Sequence, residues 1–240
     1  MKFFERTYKR LELIWCRKDG DRYIDYLRRQ GMTIGEGTYI FDNPKNVFID
    51  PTRPWLIKIG NDVQITSGVK ILTHGYEWSV IKGTTGEVLG SAGKVSIGNN
   101  CFIGMNAIIL KGSSIGDNVI VGAGSLVSGK IPSNTVVAGN PCKVMCSLED
   151  YRQKIIHKQK YEARELVREY HNDYGTVPDQ SLLSEFFWLF SSRTDDIDSS
   201  FKEKMECIRN YDYSMTVFKN TKPEFAGYED FIEWCFKDDN

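Results

Sequence analysis

The sequence predicts an all-β core, a parallel β-helix wound from six-residue repeats, with an N-terminal helical segment and an α-helical C-terminal extension. Three observations carry this. An aliphatic residue stands at every sixth position over 97–132, that phase breaks at 75–94, and apolar residues on either side of the repeats follow helical spacing.

The first observation is the strongest. Ile97, Ile103, Ile109, Ile115, Val121 and Val127 occupy successive first positions. Against a background of roughly one in eight for Ile plus Val, six hits in one phase have odds on the order of one in a few hundred thousand. Glycine follows at Gly98, Gly104, Gly116 and Gly122, and the fifth positions (Cys101, Ala107, Ser113, Val119, Ser125, Ile131) are small or β-branched. A helix would repeat at three and four, and a simple strand at two. Six residues instead supply a short strand and a corner, with the aliphatic pointing inward and Gly, Asn or Asp tolerating the positive φ of a tight turn. Three sides close a triangular coil of about 18 residues, and coils stack at about 4.8 Å. Ile97 then lies against Ile115, Ile103 against Val121 and Ile109 against Val127, each buried side chain contributing about 2 kcal/mol.

The phase reappears at Ile59, Ile65 and Ile71, and faintly at Ile34 and Ile40. Ile97 follows Ile71 by 26 residues, which is no multiple of six. The segment 75–94, with five glycines and no phase, is therefore expected to project as a loop, and loops on rigid scaffolds carry function. The expected organisation is a helical segment over 1–30, a β-helix over 31–146 and a helical extension over 147–240. In the extension, Ser147-Leu148-Glu149-Asp150 has the pattern of a helix start, running to about His171, with further helices at 182–192, 199–210 and 228–237. The extension is expected to cover the open end of the coils or mediate assembly, with a partner surface as the alternative.

Composition narrows the function. Lys and Arg total 31 against 32 for Asp and Glu, so no basic field favours nucleic acid or an anionic membrane. The N-terminus lacks the apolar core of a secretory signal, and no apolar run approaches a membrane span. The six cysteines have no framework spacing and read as free thiols in a reducing, cytoplasmic setting.

The repeats over 97–132, Thr73-His74 and the ending Val137-Ala138-Gly139-Asn140-Pro141-Cys142-Lys143-Val144 together resemble the hexapeptide-repeat acyltransferases. Within them, the galactoside and maltose O-acetyltransferases and relatives that modify capsular or lipopolysaccharide sugars are most alike. The resemblance covers about 31–146. It implies a left-handed coil, a homotrimer and acetyl-CoA bound between neighbouring β-helices. It also implies His74 as catalytic base, Gly104 and Met105 as the oxyanion and cleft region, and Phe102, Ala123, Gly124, Ser128 and Lys143 as CoA contacts. In the family Thr-Lys often stands where this chain has Ser128-Gly129, and Lys130 comes one place later than the family's lysine. Lys143 replaces the family's Arg, keeping charge but losing the bidentate fork.

The chemistry of the residues supports the same role. Histidine can take a proton from a sugar hydroxyl near neutral pH. A thioester is already an activated acyl donor, so no metal is required. Asp50, Trp55, Tyr76, Glu77 and Trp78 set polar groups beside aromatic faces, which suits a sugar acceptor. Glu77 is either the group that orients the imidazole or a solvated loop carboxylate. Ala123 and Gly124 are either pantetheine contacts or corner residues. His157 and His171 sit among charged residues and read as solvated. Three rivals remain: a serine or antibiotic acceptor on the same fold, a β-helix zinc enzyme, and a non-catalytic sugar-binding scaffold. The zinc enzyme needs three histidines, and the repeat region holds only His74.

Overall fold

In a computed structural model, residues 2–41 and 44–237 are described. The chain forms two compact units, Met1–Tyr151 and Arg152–Asn240.

In the first unit, helices α1 (Lys2–Cys16) and α2 (Gly20–Arg29) precede the coils. α2 begins where the Asp19 carboxylate accepts the Arg22 amide at 3.0 Å, and it buries Tyr23, Ile24, Tyr26 and Leu27. The coils then build three faces of a left-handed β-helix. The first face stacks Thr33–Ile34, Ile57–Ile59, Val95–Ile97, Ser114–Ile115 and Lys130–Ile131. The second stacks Tyr39–Ile40, Gln64–Ile65, Phe102–Ile103, Ile120–Val121 and Thr135–Ala138, and the third stacks Phe48–Ile49, Lys70–Ile71, Ile108–Ile109 and Leu126–Val127. Pairing is parallel throughout except at the end, where Lys143–Ser147 folds back antiparallel on Thr135–Ala138.

The expected register is the observed one: Ile97 pairs with Ile115, Ile103 with Val121 and Ile109 with Val127. First and fifth positions together make the core, with Ile103, Ile109, Val121 and Val127 fully buried alongside Cys101, Ala107 and Val119. Ser113 and Ser125, polar at fifth positions, are buried too, and their hydroxyls donate to the carbonyls of Val127 and Gly122.

Gly, Asn and Asp take the positive φ of the corners as expected. It falls at the fourth position, on Asp62, Gly68, Asn100, Asn106, Gly112, Asn118 and Gly124, while the second-position glycines avoid it. Gly98 is needed for another reason: a Cβ there would stand 2.6 Å from the Gly116 backbone of the next coil. The corner asparagines also bond each other, Asn100 Nδ2 donating to Asn118 and Asn118 Nδ2 to Asn134, both at 2.9 Å.

The excursion over 75–94 is not purely loop. It contains α3 (Trp78–Thr85), which ends at Gly86 with φ 81°. It leaves and rejoins the coil in step, because Ile71 pairs with Ile109 while Ile59 pairs with Ile97. Its base is tied by the Gly93 amide donating to the Thr73 carbonyl at 2.9 Å.

The second unit centres on α4 (Leu148–Tyr174), α5 (Ser199–Glu206), α6 (Tyr211–Lys219) and α7 (Tyr228–Phe236). α4 opens as the sequence indicates: the Asp150 amide donates to Ser147 Oγ at 3.0 Å and the Ser147 hydroxyl donates back to Asp150 at 2.6 Å. One expectation fails here, and one helix was not foreseen. The segment 182–192 is not an α-helix but short turns of 3₁₀ helix at Gln180–Leu183 and Phe187–Leu189, because Phe187, Leu189 and Phe190 all turn into the core. α6 escapes a propensity reading because Tyr, Thr, Val and Phe are indifferent helix formers, and burial of Met215 and Phe218 holds it instead. The core of this unit is largely aromatic, with Phe187 stacked on Phe201 at 4.7 Å. Among the described residues, no helix is long and apolar enough to cross a membrane.

Candidate active site

The third face turns into the first at a corner that carries His74 just after the buried Ile71 and Thr73. One coil earlier, Phe48–Ile49 delivers Asp50 to the same corner, because Ile49 pairs with Ile71. His74 Nδ1 lies 2.7 Å from Asp50 Oδ2.

Asp50 is 1% exposed, and every partner it has favours its charged form. Oδ1 accepts the Thr52 amide at 3.0 Å and the Thr52 hydroxyl at 2.7 Å. Oδ2 accepts the Thr73 amide at 3.2 Å and the Thr73 hydroxyl. Burial pushes the carboxyl pKa up, but the hydrogen bonds from Thr73, Thr52 and His74 outweigh it and hold the group well below the usual carboxylate range. An ionised carboxylate only accepts, so Nδ1 of His74 carries the proton. In the neutral ring the free lone pair is then on Nε2.

These placements revise two sequence expectations. Asp50 is not an acceptor contact, since it is buried with its oxygens taken; it orients His74. Glu77 does not orient the imidazole: its carboxylate pairs with Lys111 Nζ on the next coil, which holds its pKa down. Thr52 was not singled out by the sequence, and Thr73 only as the residue before His74, because a threonine beside a strand end has no distinguishing pattern.

His74 opens into a hollow of about 270 Å³ lined by Thr52, Arg53, Trp55, Tyr76, Trp78 and Ser91, among others. Tyr76 stands edge-on to the imidazole at 5.3 Å, and Trp78 follows at 6.3 Å from Tyr76. Tyr76 is 70% exposed and Trp55 67% exposed, so both present their faces to solvent. Three of the five acceptor candidates, Trp55, Tyr76 and Trp78, thus gather around His74.

The remaining candidates lie on other corners. Gly104 and Met105 turn the second face into the third. Register sets Gly104 over Thr66, whereas the coil over His74 is the one bearing Lys111. Gly104 and Met105, the expected oxyanion region, therefore do not stand above His74 in the same chain. Ala123 and Gly124 occupy the next turn of their corner, the Gly124 amide donating to the Met105 carbonyl at 2.7 Å. That bond removes the Gly124 amide as a pantetheine donor and leaves the Ala123 amide without a partner among the described residues. Lys143 is exposed and pairs with Ala138 beside the same corner, and Phe102 is on the adjoining second face. Ser128 stands apart from this group, following Val127 of the third face. The candidate residues of one chain therefore fall on two separate corners.

A family profile described as bacterial transferase hexapeptide (six repeats) matches residues 94–129. Protein CapG of Staphylococcus aureus is 41% identical over 138 residues, spanning 57% of this chain and 78% of CapG. The chain belongs to the hexapeptide-repeat acetyltransferase family. Galactoside O-acetyltransferase of Escherichia coli strain K12, another family member, is 32% identical over 57% of this chain, which spans 64% of that protein's length. Among solved structures, a maltose O-acetyltransferase from Clostridium difficile 630 is 28% identical, covering 60% of this chain and 87% of that one with a TM-score of 0.41. Each match falls short of the full chain, and the family profile stops before the helical extension begins.

Proposed function

We propose that this chain transfers an acetyl group from acetyl-CoA to a hydroxyl of a sugar or glycan precursor in the cytoplasm, working as a homotrimer. The observation that carries the reading is the buried Asp50 carboxylate on Nδ1 of His74, at the mouth of an aromatic-lined hollow. Similarity to a galactoside O-acetyltransferase supports a sugar acceptor.

In this mechanism Nε2 of His74 takes the proton of the acceptor hydroxyl as its oxygen bonds to the thioester carbonyl carbon. Asp50 holds the ring and stabilises the imidazolium. A backbone amide receives the oxyanion, and Ala123 is the candidate donor from a neighbouring copy. Collapse breaks the carbon–sulfur bond, and the imidazolium returns the proton to the departing thiolate. The balance is ester plus free CoA, with no outside reductant or oxidant. Trp55, Tyr76 and Trp78 supply stacking surfaces for a pyranose ring. Phe102, Met105, Ala123 and Lys143 line the groove for CoA, with Lys143 toward its phosphates.

The test is release of free thiol from acetyl-CoA across a panel of neutral, nucleotide-linked and lipid-linked sugars, with serine and an aminoglycoside as controls. Product mass should rise by one acetyl group on a sugar. Turnover confined to serine or the aminoglycoside would replace the acceptor assignment, and no turnover with any acceptor would favour a binding scaffold.

A further inference from the structure

The Arg152–Asn240 unit holds a cleft of its own, of about 590 Å³, the size of a small-molecule site. Its wall carries Trp188 and the cations Arg152, Arg193 and Lys222, together with aliphatic side chains. The acid in the lining, Glu224, is paired with Lys160 Nζ.

Arg193 is the unusual group. Its guanidinium lies over the Phe218 ring at 4.3 Å and the Trp188 ring at 5.6 Å. Nη1 donates to the Ser191 carbonyl at 2.7 Å and Nη2 to the Trp188 carbonyl at 2.6 Å, so the side chain is locked. No carboxylate among the described residues pairs with it, and its Nε is buried without a partner. Burial pushes its pKa down, with no neighbouring acid to offset the cost. A half-buried cation without a counter-ion is expensive for the fold alone. Held rigid beside a cleft, it suits a phosphate, which takes guanidinium N–H groups in charge-assisted bonds.

We propose that this cleft binds a phosphate ester of a ring-bearing small molecule, the phosphate meeting Arg193, Lys222 and Arg152 and the ring packing on Trp188. A nucleoside diphosphate and a sugar phosphate share this chemistry. The site is independent of the acetyl-transfer reading, since none of its residues belongs to the β-helix.

Isothermal titration of the full chain, without acetyl-CoA, tests it with four probes: uridine diphosphate, glucose 1-phosphate, inorganic phosphate and maltose. Saturable binding of one or both esters is expected at one per chain, weaker binding of inorganic phosphate, and none of maltose. The ester that binds more tightly identifies the ring as base or sugar. Lys222→Gln and Arg193→Gln should each weaken binding about tenfold or more, because each deletes a charge-assisted contact. Lys143→Gln should leave it unchanged, which separates this cleft from the proposed CoA groove. Absence of saturable binding by either ester overturns the proposal, as does wild-type affinity in Lys222→Gln. Should Arg193→Gln fail to fold by circular dichroism, the exposed Lys222 variant still decides. Equal affinity for inorganic phosphate and the esters overturns the role given to Trp188.

Discussion

At Asp50, one ionised carboxylate decides which nitrogen of His74 is available to a substrate. His74→Ala should lower kcat by about 10²–10⁴ while leaving the thermal midpoint near that of wild type, because the ring lies at the edge of the hollow and outside the core. Asp50→Asn keeps the shape but can donate to Nδ1, which shifts the ring toward the wrong tautomer. A kcat loss of about 10² or more with KM little changed is expected, and unchanged kcat would detach Asp50 from the mechanism. Its stability signature has a sign. The folded-state pKa lies well below the unfolded value, so the carboxylate stabilises the fold above the ordinary carboxylate range and loses that contribution progressively as pH falls from there toward the much lower folded-state value. Thermal midpoints of wild type and Asp50→Asn should thus differ at pH 7, with the gap narrowing steadily as pH falls below about 4. A gap that widens in acid would reverse this account. His74 was singled out through the family resemblance, which rests in part on a histidine standing just before the phase breaks. The role of Asp50 was not, because the earlier coils carry insertions: Ile49 precedes its partner Ile71 by 22 residues, and no six-residue count leads from one to the other.

Among elements, the repeat coils were the most legible part because one pattern sets both strand and corner. The reason for each glycine was hidden, since sequence alone does not distinguish a residue chosen for φ from one chosen for close stacking. Gly98→Ala separates the two. Its Cβ would press on the Gly116 backbone, so a loss of about 1–3 kcal/mol is expected, seen as a fall of several degrees in midpoint. No loss would mean the coils can part at that corner. The 75–94 excursion is pinned by Glu77 and Lys111, and its Tyr76 and Trp78 face the hollow. Lys111→Met should raise the acceptor KM several-fold and change kcat less, with stability within about 0.5 kcal/mol, since an exposed ion pair contributes little. A fall in stability without a kinetic effect would make the pair structural. The helices of the extension were partly legible where caps and spacing agree, as at Ser147, and illegible at 182–192, where aromatic packing overrides local preference.

At the scale of the whole molecule, the proposed mechanism needs a neighbour, because the residues it assigns to acceptor and to CoA lie on different corners of one chain. Mixing His74→Ala chains with chains blocked at the other corner, for instance by Gly124→Glu, should restore part of the activity that each lacks alone, in a particle about three times 27.5 kDa. Failure to complement in a proven mixed trimer would place both half-sites in one protomer. The excursion, for its part, departs after His74 and returns at Val95 with the stacking order undisturbed. Its length and content are thus decoupled from the scaffold, like a cartridge seated in a fixed socket. Exchanging 75–94 for the equivalent stretch of a relative is the natural route to a new acceptor, since the imidazole and its carboxylate keep their seats on the coil.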